Sequence, residues 1–103
     1  MVQSIVKTYG PIDILVNNAS ITRHISMDNL EAATEDIWDE LYAVNVKGMF
    51  FCARAVAPFM KKSKAGAIVN VGSIAGVTGA GSSMPYAVSK SAVHGLTKSL
   101  ATP

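Results

Sequence analysis

Hydrophobic positions along the chain change their spacing from segment to segment, and this change predicts alternating helices and strands. Residues 2–9 carry apolar side chains at the spacing of one helical face, and Gly10 and Pro11 then end that helix. Residues 12–16 and 67–71 are short runs of mostly branched apolar residues. Such runs are typical of parallel strands that are buried on both faces.

The longest helical pattern follows Thr34 and extends to Lys61 and Lys62, with apolar residues every three or four positions. Thr34 is suited to an N-cap, and the acidic residues Glu35 and Asp36 complement the positive end of the helix dipole. The two lysines complement its negative end. We therefore expect one long helix in this region.

Two segments between the regular elements lack a clear period. Residues 19–33 are polar and aperiodic, and a loop of this length is more often functional than idle. Residues 73–84 contain several glycines and are expected to form a flexible loop. A last helix is predicted to start near Pro85 and to carry apolar residues as far as Leu100, towards the end of the sequence.

The order helix, strand, helix, strand, helix is that of an open parallel α/β sheet. Two strands alone do not make a stable doubly wound sheet, because such sheets usually have about four to six strands with helices on both faces. We therefore expect residues 1–103 to be a single incomplete domain, an internal part of a larger three-layer α/β/α unit.

Composition and charge narrow the classes of function. The net charge of +2 arises from nine basic and seven acidic side chains, which argues against nucleic acid and membrane surfaces as partners. No apolar stretch reaches the roughly 18 residues of a membrane span and no secretory signal is recognisable, so a cytoplasmic protein is expected. Cys52 is the only cysteine, and His24 and His94 lie far apart, so the sequence predicts neither a disulfide nor a metal site.

The candidate catalytic side chains lie in or near the last predicted helix. Tyr86 and Lys90 are four residues apart, which places both side chains on one helical face. The lysine ammonium favours the phenolate form of the tyrosine. Reduction of a carbonyl needs a proton donor at the oxygen when hydride reaches the carbon, and a positioned acid contributes about 10²- to 10⁴-fold in rate. Ser73 ends the second strand at the carboxyl edge of the sheet, where open α/β folds bind ligands, and its hydroxyl can hold the same oxygen.

Four motifs occur in an order and spacing that resemble the short-chain dehydrogenase/reductase family. They are Asn17-Asn18-Ala19-Ser20, Asn45-Val46-Lys47-Gly48, Val69-Asn70-Val71-Gly72-Ser73 and Tyr86-Ala87-Val88-Ser89-Lys90. The resemblance covers nearly the whole chain and implies a partial Rossmann-type fold, which is a doubly wound parallel sheet. It also implies an oxidoreductase that uses NAD or NADP and a small carbonyl or alcohol substrate. Reduction of 3-oxoacyl thioesters is the preferred branch, and sugar or polyol oxidation is the alternative.

The same resemblance assigns roles to individual residues. It implies that Tyr86 is the general acid and base, that Lys90 assists it and binds the nicotinamide ribose, and that Ser73 orients the substrate oxygen. Asn45 is implied to kink its helix and to hold a water in the proton relay. Cofactor contacts are expected from Tyr86 and Lys90 together with the segment after the first strand, which comprises Asn18, Ala19 and Ser20.

The chain also departs from the family pattern. Ser20 replaces the glycine that usually follows Asn-Asn-Ala, and Gly72 replaces a serine that usually precedes the catalytic one. The family's glycine-rich cofactor loop has no counterpart here. Residues 72–81 do not supply it, because a dinucleotide fingerprint that begins at Gly79 would need a sixth-position glycine where Met84 stands.

Some interpretations remain open at the level of sequence. Asn45 is a poor residue for a helix interior, so it marks either a solvated face or a functional kink, and the kink is preferred. The long helices have apolar residues for either the core or a subunit contact, and the resemblance implies a homo-oligomer, a dimer or tetramer. These residues are Trp38, Met49, Phe50 and Phe51. The competing hypothesis from another class is a truncated, non-catalytic fragment that only associates through its apolar helices.

Overall fold

The computed structural model describes residues 1–102, and within them helices and strands alternate along the chain. The elements are α1 (Val2–Tyr9), β1 (Ile14–Asn17), a 3₁₀ turn (Leu30–Ala32), α2 (Glu35–Tyr42), a π-helical turn (Ala43–Lys47), α3 (Gly48–Ser63), β2 (Ala67–Asn70), α4 (Ile74–Thr78) and α5 (Met84–Leu100). The predicted order of main elements is therefore confirmed, with ends that differ by one or two residues.

The strands β1 and β2 pair in parallel, with Ile14 opposite Ala67 and Asn17 opposite Asn70. This pairing confirms the α/β class with a parallel sheet. The prediction that both faces of the strands are buried is wrong for residues 1–102, because Ile14 and Val16 are 63% and 57% exposed. Successive side chains of a strand point to opposite faces. In the described part of the chain, α3 and α5 cover the face that carries Asn17 and Asn70.

The long helix is not continuous, which corrects the expectation of a single helix. Between α2 and α3 the chain forms one π-helical turn, and Asn45 at its centre is fully buried. A π turn holds one residue more than an α turn and is often found at functional sites. The solvated-face interpretation of Asn45 is therefore wrong, and the helix changes its hydrogen bonding at the residue where the kink hypothesis expects it.

The glycine-rich segment is not a flexible loop, because it contains the short helix α4. Ser73 caps this helix, since its Oγ accepts a hydrogen bond of 3.1 Å from Ala75 N. Gly79 follows its last turn with φ of 75°, a left-handed conformation that favours glycine. The helix lies so close to α5 that a Cβ added at Gly76 would be 2.6 Å from the Lys90 carbonyl carbon. Contact with α5 therefore holds this segment in place.

The core lies mainly where the helices pack against one another, and α3 also packs against β1. Its apolar residues are Leu41, Met49, Ala53, Val56, Ala75, Ala87 and Val93. Met49 belongs to this core, whereas Phe50 and Phe51 on the next positions of α3 are 41% and 49% exposed. Within residues 1–102, no helix is both long and apolar enough to span a membrane.

Substitution of Gly76 by alanine tests the close approach of α4 to α5. We expect Gly76→Ala to lower the free energy of unfolding by about 1–3 kcal/mol, because the added methyl meets backbone atoms that cannot rotate away. The matched control is Gly95→Ala in α5, where nothing lies within 4 Å of the added Cβ. That change should be neutral or stabilise by up to about 1 kcal/mol through helix propensity. Urea unfolding measures both, and equal effects of the two changes would contradict the close contact.

Candidate active site

The carboxyl ends of β1 and β2 are joined by a chain of side-chain amides. Asn17 Nδ2 donates to Asn70 Oδ1 at 2.8 Å and to the backbone oxygen of Met49 in α3 at 3.3 Å. Asn70 Nδ2 donates in turn to Thr97 Oγ1 in α5 at 3.0 Å. These bonds hold α3, the two strands and α5 in register at the edge where the candidate site lies.

Ser73 follows this edge and begins α4. Its hydroxyl accepts the hydrogen bond from Ala75 N, and a serine hydroxyl has one proton to donate and two lone pairs. The capping bond therefore leaves the hydroxyl proton free to be donated to a substrate oxygen. The residue is partly exposed, which suits such a role.

Tyr86 lies in the first turn of α5, in a half-buried position. Ser83 is the N-cap of that helix, because its Oγ accepts a hydrogen bond of 3.3 Å from Tyr86 N, and Pro85 fixes the backbone of the first turn. Sequence reasoning missed Ser83. Its signal was present, since a serine two residues before a proline at a helix start is a common capping pattern.

Lys90 follows Tyr86 by one helical turn and is 1% exposed. Its Nζ lies 5.9 Å from the centre of the Tyr86 ring and donates to the backbone oxygen of Val71 at 3.1 Å. Within residues 1–102 no carboxylate lies within 4 Å of this ammonium. Burial without an acidic partner lowers the pKa of Lys90. Because Val71 comes two residues before Ser73, this bond also brings Lys90 and the end of β2 together.

Asn45 is bonded to a backbone segment 24 residues earlier in the chain. Its Oδ1 accepts a hydrogen bond of 2.8 Å from Ile21 N, and its Nδ2 donates to Ile21 O at 2.9 Å. The second hydrogen of Nδ2 is donated to Ser89 Oγ at 3.1 Å. Both hydrogens of this amide are thus used inside the protein. Sequence reasoning identified Asn45 and missed its partners Ile21 and Ser89.

The predicted cofactor segment, Asn18 to Ser20, follows β1 at the same edge of the sheet and is exposed. The next residue, Ile21, is the one bonded to Asn45, so the segment is tethered to the π turn. Within residues 1–102 no hydrogen bond joins the side chains of this segment to Ser73, Tyr86 or Lys90. Its assignment to a cofactor stays a prediction.

The loop that continues from this segment is held against the start of α5. The hydroxyls of Thr22 and Ser82 are hydrogen-bonded to each other, and Ile25 N donates to Ser82 O at 3.0 Å. Ser82 has φ of 61°, a left-handed conformation that is unfavourable for a residue with a side chain. The two loops beside the candidate site are therefore fixed to each other. The sequence pattern did not predict this contact.

The geometry combines a hydroxyl proton donor, a phenol and a buried cation beside one edge of a parallel sheet. A substrate oxygen at that edge can receive a proton from the phenol while the cation stabilises the phenolate left behind. Within residues 1–102 no group of three or more metal-ligating side chains is present. The arrangement is thus suited to proton transfer at an oxygen atom.

Comparison with known proteins gives matches along the whole chain. A family model described as short chain dehydrogenase matches residues 1–103. The 3-oxoacyl-[acyl-carrier-protein] reductase FabG of Thermotoga maritima is 43% identical over 101 residues, which are 98% of this chain and 40% of that protein.

Two solved structures show the same arrangement of elements. A gluconate 5-dehydrogenase from Burkholderia cenocepacia, in complex with NADP and tartrate, has a TM-score of 0.87 at 38% identity, covering 96% of this chain and 38% of that one. An NAD⁺-bound xylitol dehydrogenase has a TM-score of 0.88 at 34% identity, covering 97% and 39%. These similarities confirm the partial Rossmann-type fold. The chain spans about two fifths of the length of the curated relatives that match nearly all of it.

The burial of Lys90 predicts a pH-dependent effect on stability. Its pKa is lower in the folded protein than the ordinary value of 10.5, so the penalty of burying the charge is complete below the folded pKa and fades as pH rises to 10.5. Lys90→Met keeps most of the alkyl chain and removes the charge. We expect the unfolding free energy of the parent, relative to this variant, to increase as the pH rises from neutral towards 10.5. Urea titrations across that range measure it, and a constant or falling difference would contradict the assignment.

Proposed function

Because the chain belongs to the short-chain dehydrogenase family, we propose that the protein carrying it is an oxidoreductase. It transfers a hydride between NAD or NADP and a carbonyl or alcohol substrate. The observation that carries this proposal is the position of Lys90, which is 1% exposed with its Nζ 5.9 Å from the Tyr86 ring centre. Burial of a cation that has no carboxylate partner lowers the stability of the folded protein. Such buried charges are typical of functional sites, so a catalytic role for Lys90 explains why the protein keeps it there.

In the proposed mechanism Tyr86 donates a proton to the substrate oxygen during reduction and takes it back during oxidation. The Lys90 ammonium stabilises the phenolate that remains after donation. The hydroxyl of Ser73, which already accepts from Ala75 N, donates its proton to the same oxygen and fixes the orientation of the substrate. Asn45 holds the loop at Ile21 and the first turns of α5 in place around these groups.

The residues present fit the nicotinamide end of a dinucleotide. Lys90 Nζ uses one of its three hydrogens on Val71 O, so two remain for ribose hydroxyls. The segment Asn18 to Ser20 offers exposed backbone at the carboxyl edge of the sheet, where open α/β folds bind such ligands. When bound, the cofactor would supply or accept the hydride. NADP and NAD⁺ in the two similar dehydrogenase structures support either form.

The substrate that we propose is a 3-oxoacyl thioester. Support comes from the reductase FabG, which is 43% identical over 98% of this chain. A sugar acid or polyol is the second candidate, favoured by the similarity to gluconate 5-dehydrogenase and xylitol dehydrogenase. Steady-state turnover with a 3-oxoacyl thioester, and separately with gluconate and xylitol, distinguishes the two. Turnover of the polyols alone would reject the thioester.

A non-catalytic role for the chain remains the competing proposal. Its support is the single covered face of the sheet and the share of the relatives' length that the chain spans. Isothermal titration of the 103-residue chain with NADH and with NADPH decides between the two. Tight binding of either would reject a fragment that only associates. Absence of binding would limit the oxidoreductase proposal to a larger domain that contains this chain.

We also propose that the protein is a homo-oligomer that assembles through its long helices. Phe50 and Phe51 form an exposed pair on α3, and the Arg54 guanidinium lies 4.8 Å from the Phe51 ring centre. Aromatic residues and arginine are enriched at protein–protein interfaces relative to the rest of the surface. Light scattering after size exclusion measures the assembly, and a monomer would reject it. A cytoplasmic location, as expected from the sequence, stays a prediction.

Substitution of Tyr86 by phenylalanine tests the proposed function. The change removes only the hydroxyl, so Tyr86→Phe should lower kcat by about 10²- to 10⁴-fold while the fold and the affinity for NADPH are kept. Tyr9→Phe is the matched control, because Tyr9 lies on α1 and is 85% exposed. It should leave kcat unchanged. If Tyr86→Phe retains parental turnover, the general acid role of Tyr86 is wrong.

A further inference from the structure

Ser89 is a fully buried hydroxyl inside α5, between Tyr86 and Lys90. A buried hydroxyl in a helix interior gains little from helix propensity and must find hydrogen-bond partners. Ser89 finds them on two different elements. Its Oγ donates to Tyr86 O at 2.8 Å, and it accepts from Asn45 Nδ2 at 3.1 Å.

The donor and the acceptor of each bond follow from the protons that each group carries. A carbonyl oxygen only accepts, so the single hydroxyl proton of Ser89 must go to Tyr86 O. An amide nitrogen only donates, so Ser89 Oγ accepts from Asn45 Nδ2. The bonds therefore form one oriented chain from Asn45 through Ser89 to the backbone of Tyr86.

This chain ties the π turn to the turn of α5 that carries both Tyr86 and Lys90. The other end of the Asn45 amide is bonded to Ile21, next to the segment proposed to contact the cofactor. The tether acts on the two residues on whose mutual position the proposed proton transfer depends.

We propose that Ser89 is a positioning residue that sets the place of Tyr86 relative to Lys90 through its bonds to Tyr86 O and Asn45. The proposal rests on the function proposed above, and it assigns Ser89 no contact with substrate or cofactor. Removal of the hydroxyl leaves one hydrogen of the Asn45 amide without a partner in a buried site. The amide or the helix must then shift, and small shifts of catalytic groups are costly for rate.

The test compares Ser89→Ala with Ser91→Ala, an exposed serine on the same helix. We expect Ser89→Ala to lower kcat by about 10-fold or more with KM changed less than about 2-fold, because the loss falls on the reacting groups and not on substrate binding. The midpoint of the pH profile of kcat should move to higher pH, since Lys90 then stabilises the phenolate less well. Ser91→Ala should change neither quantity.

The results distinguish the positioning role of Ser89 from the proposed oxidoreductase function. If Tyr86→Phe abolishes turnover but Ser89→Ala leaves kcat and the pH midpoint unchanged, the positioning role is wrong and the proposed function stands. If Tyr86→Phe itself retains parental turnover, the general acid role of Tyr86 fails, and a role of Ser89 in positioning Tyr86 for proton transfer fails with it. Should Ser89→Ala not fold, Ser89→Cys fills nearly the same space with a weaker donor and should show the same changes at smaller amplitude. Parental kcat and pH midpoint in that variant would overturn the proposal.

Discussion

The buried side chain of Asn45 joins three parts of the molecule that are distant in sequence. It binds both backbone groups of Ile21, it lies at the centre of the π turn, and it donates to Ser89 in α5. A buried amide that loses a partner costs the full desolvation of the freed group, about 1–3 kcal/mol. Movement of one of the three parts relative to the others breaks at least one of these bonds, and the candidate site lies around them.

Two further constraints position Ser73 and Lys90. The amides of Asn17 and Asn70 connect α3, both strands and α5 at the carboxyl edge of the sheet. Gly76 lets α4 approach the backbone of Lys90 more closely than any side chain would permit. Ser73 is the N-cap of α4, and Gly76 of α4 lies against the backbone of Lys90, so the spacing of Ser73 and Lys90 depends on this glycine.

The parts of the fold that depend on local pattern were predictable from the sequence. The periods of apolar residues gave the strands and the main helices, and the spacing of Tyr86 and Lys90 gave their shared face. The short helix α4 escaped prediction because its glycines suggested flexibility, while its stability comes from contact with α5. The position of the break in the long helix was predictable from Asn45, but its partner Ile21 was not, because the two residues are far apart in sequence. The exposed face of β1 could not be read from its apolar residues, because burial depends on which elements pack there.

Amide hydrogen exchange at Ile21 tests most directly whether the Asn45 joint organises the site. Ile21 lies in a loop without regular secondary structure, yet its N–H is bonded to Asn45 Oδ1 at 2.8 Å. We expect this amide to exchange far more slowly than a free loop amide, with protection close to that of amides within α5. Exchange of Ile21 at the rate of an unstructured peptide would contradict it.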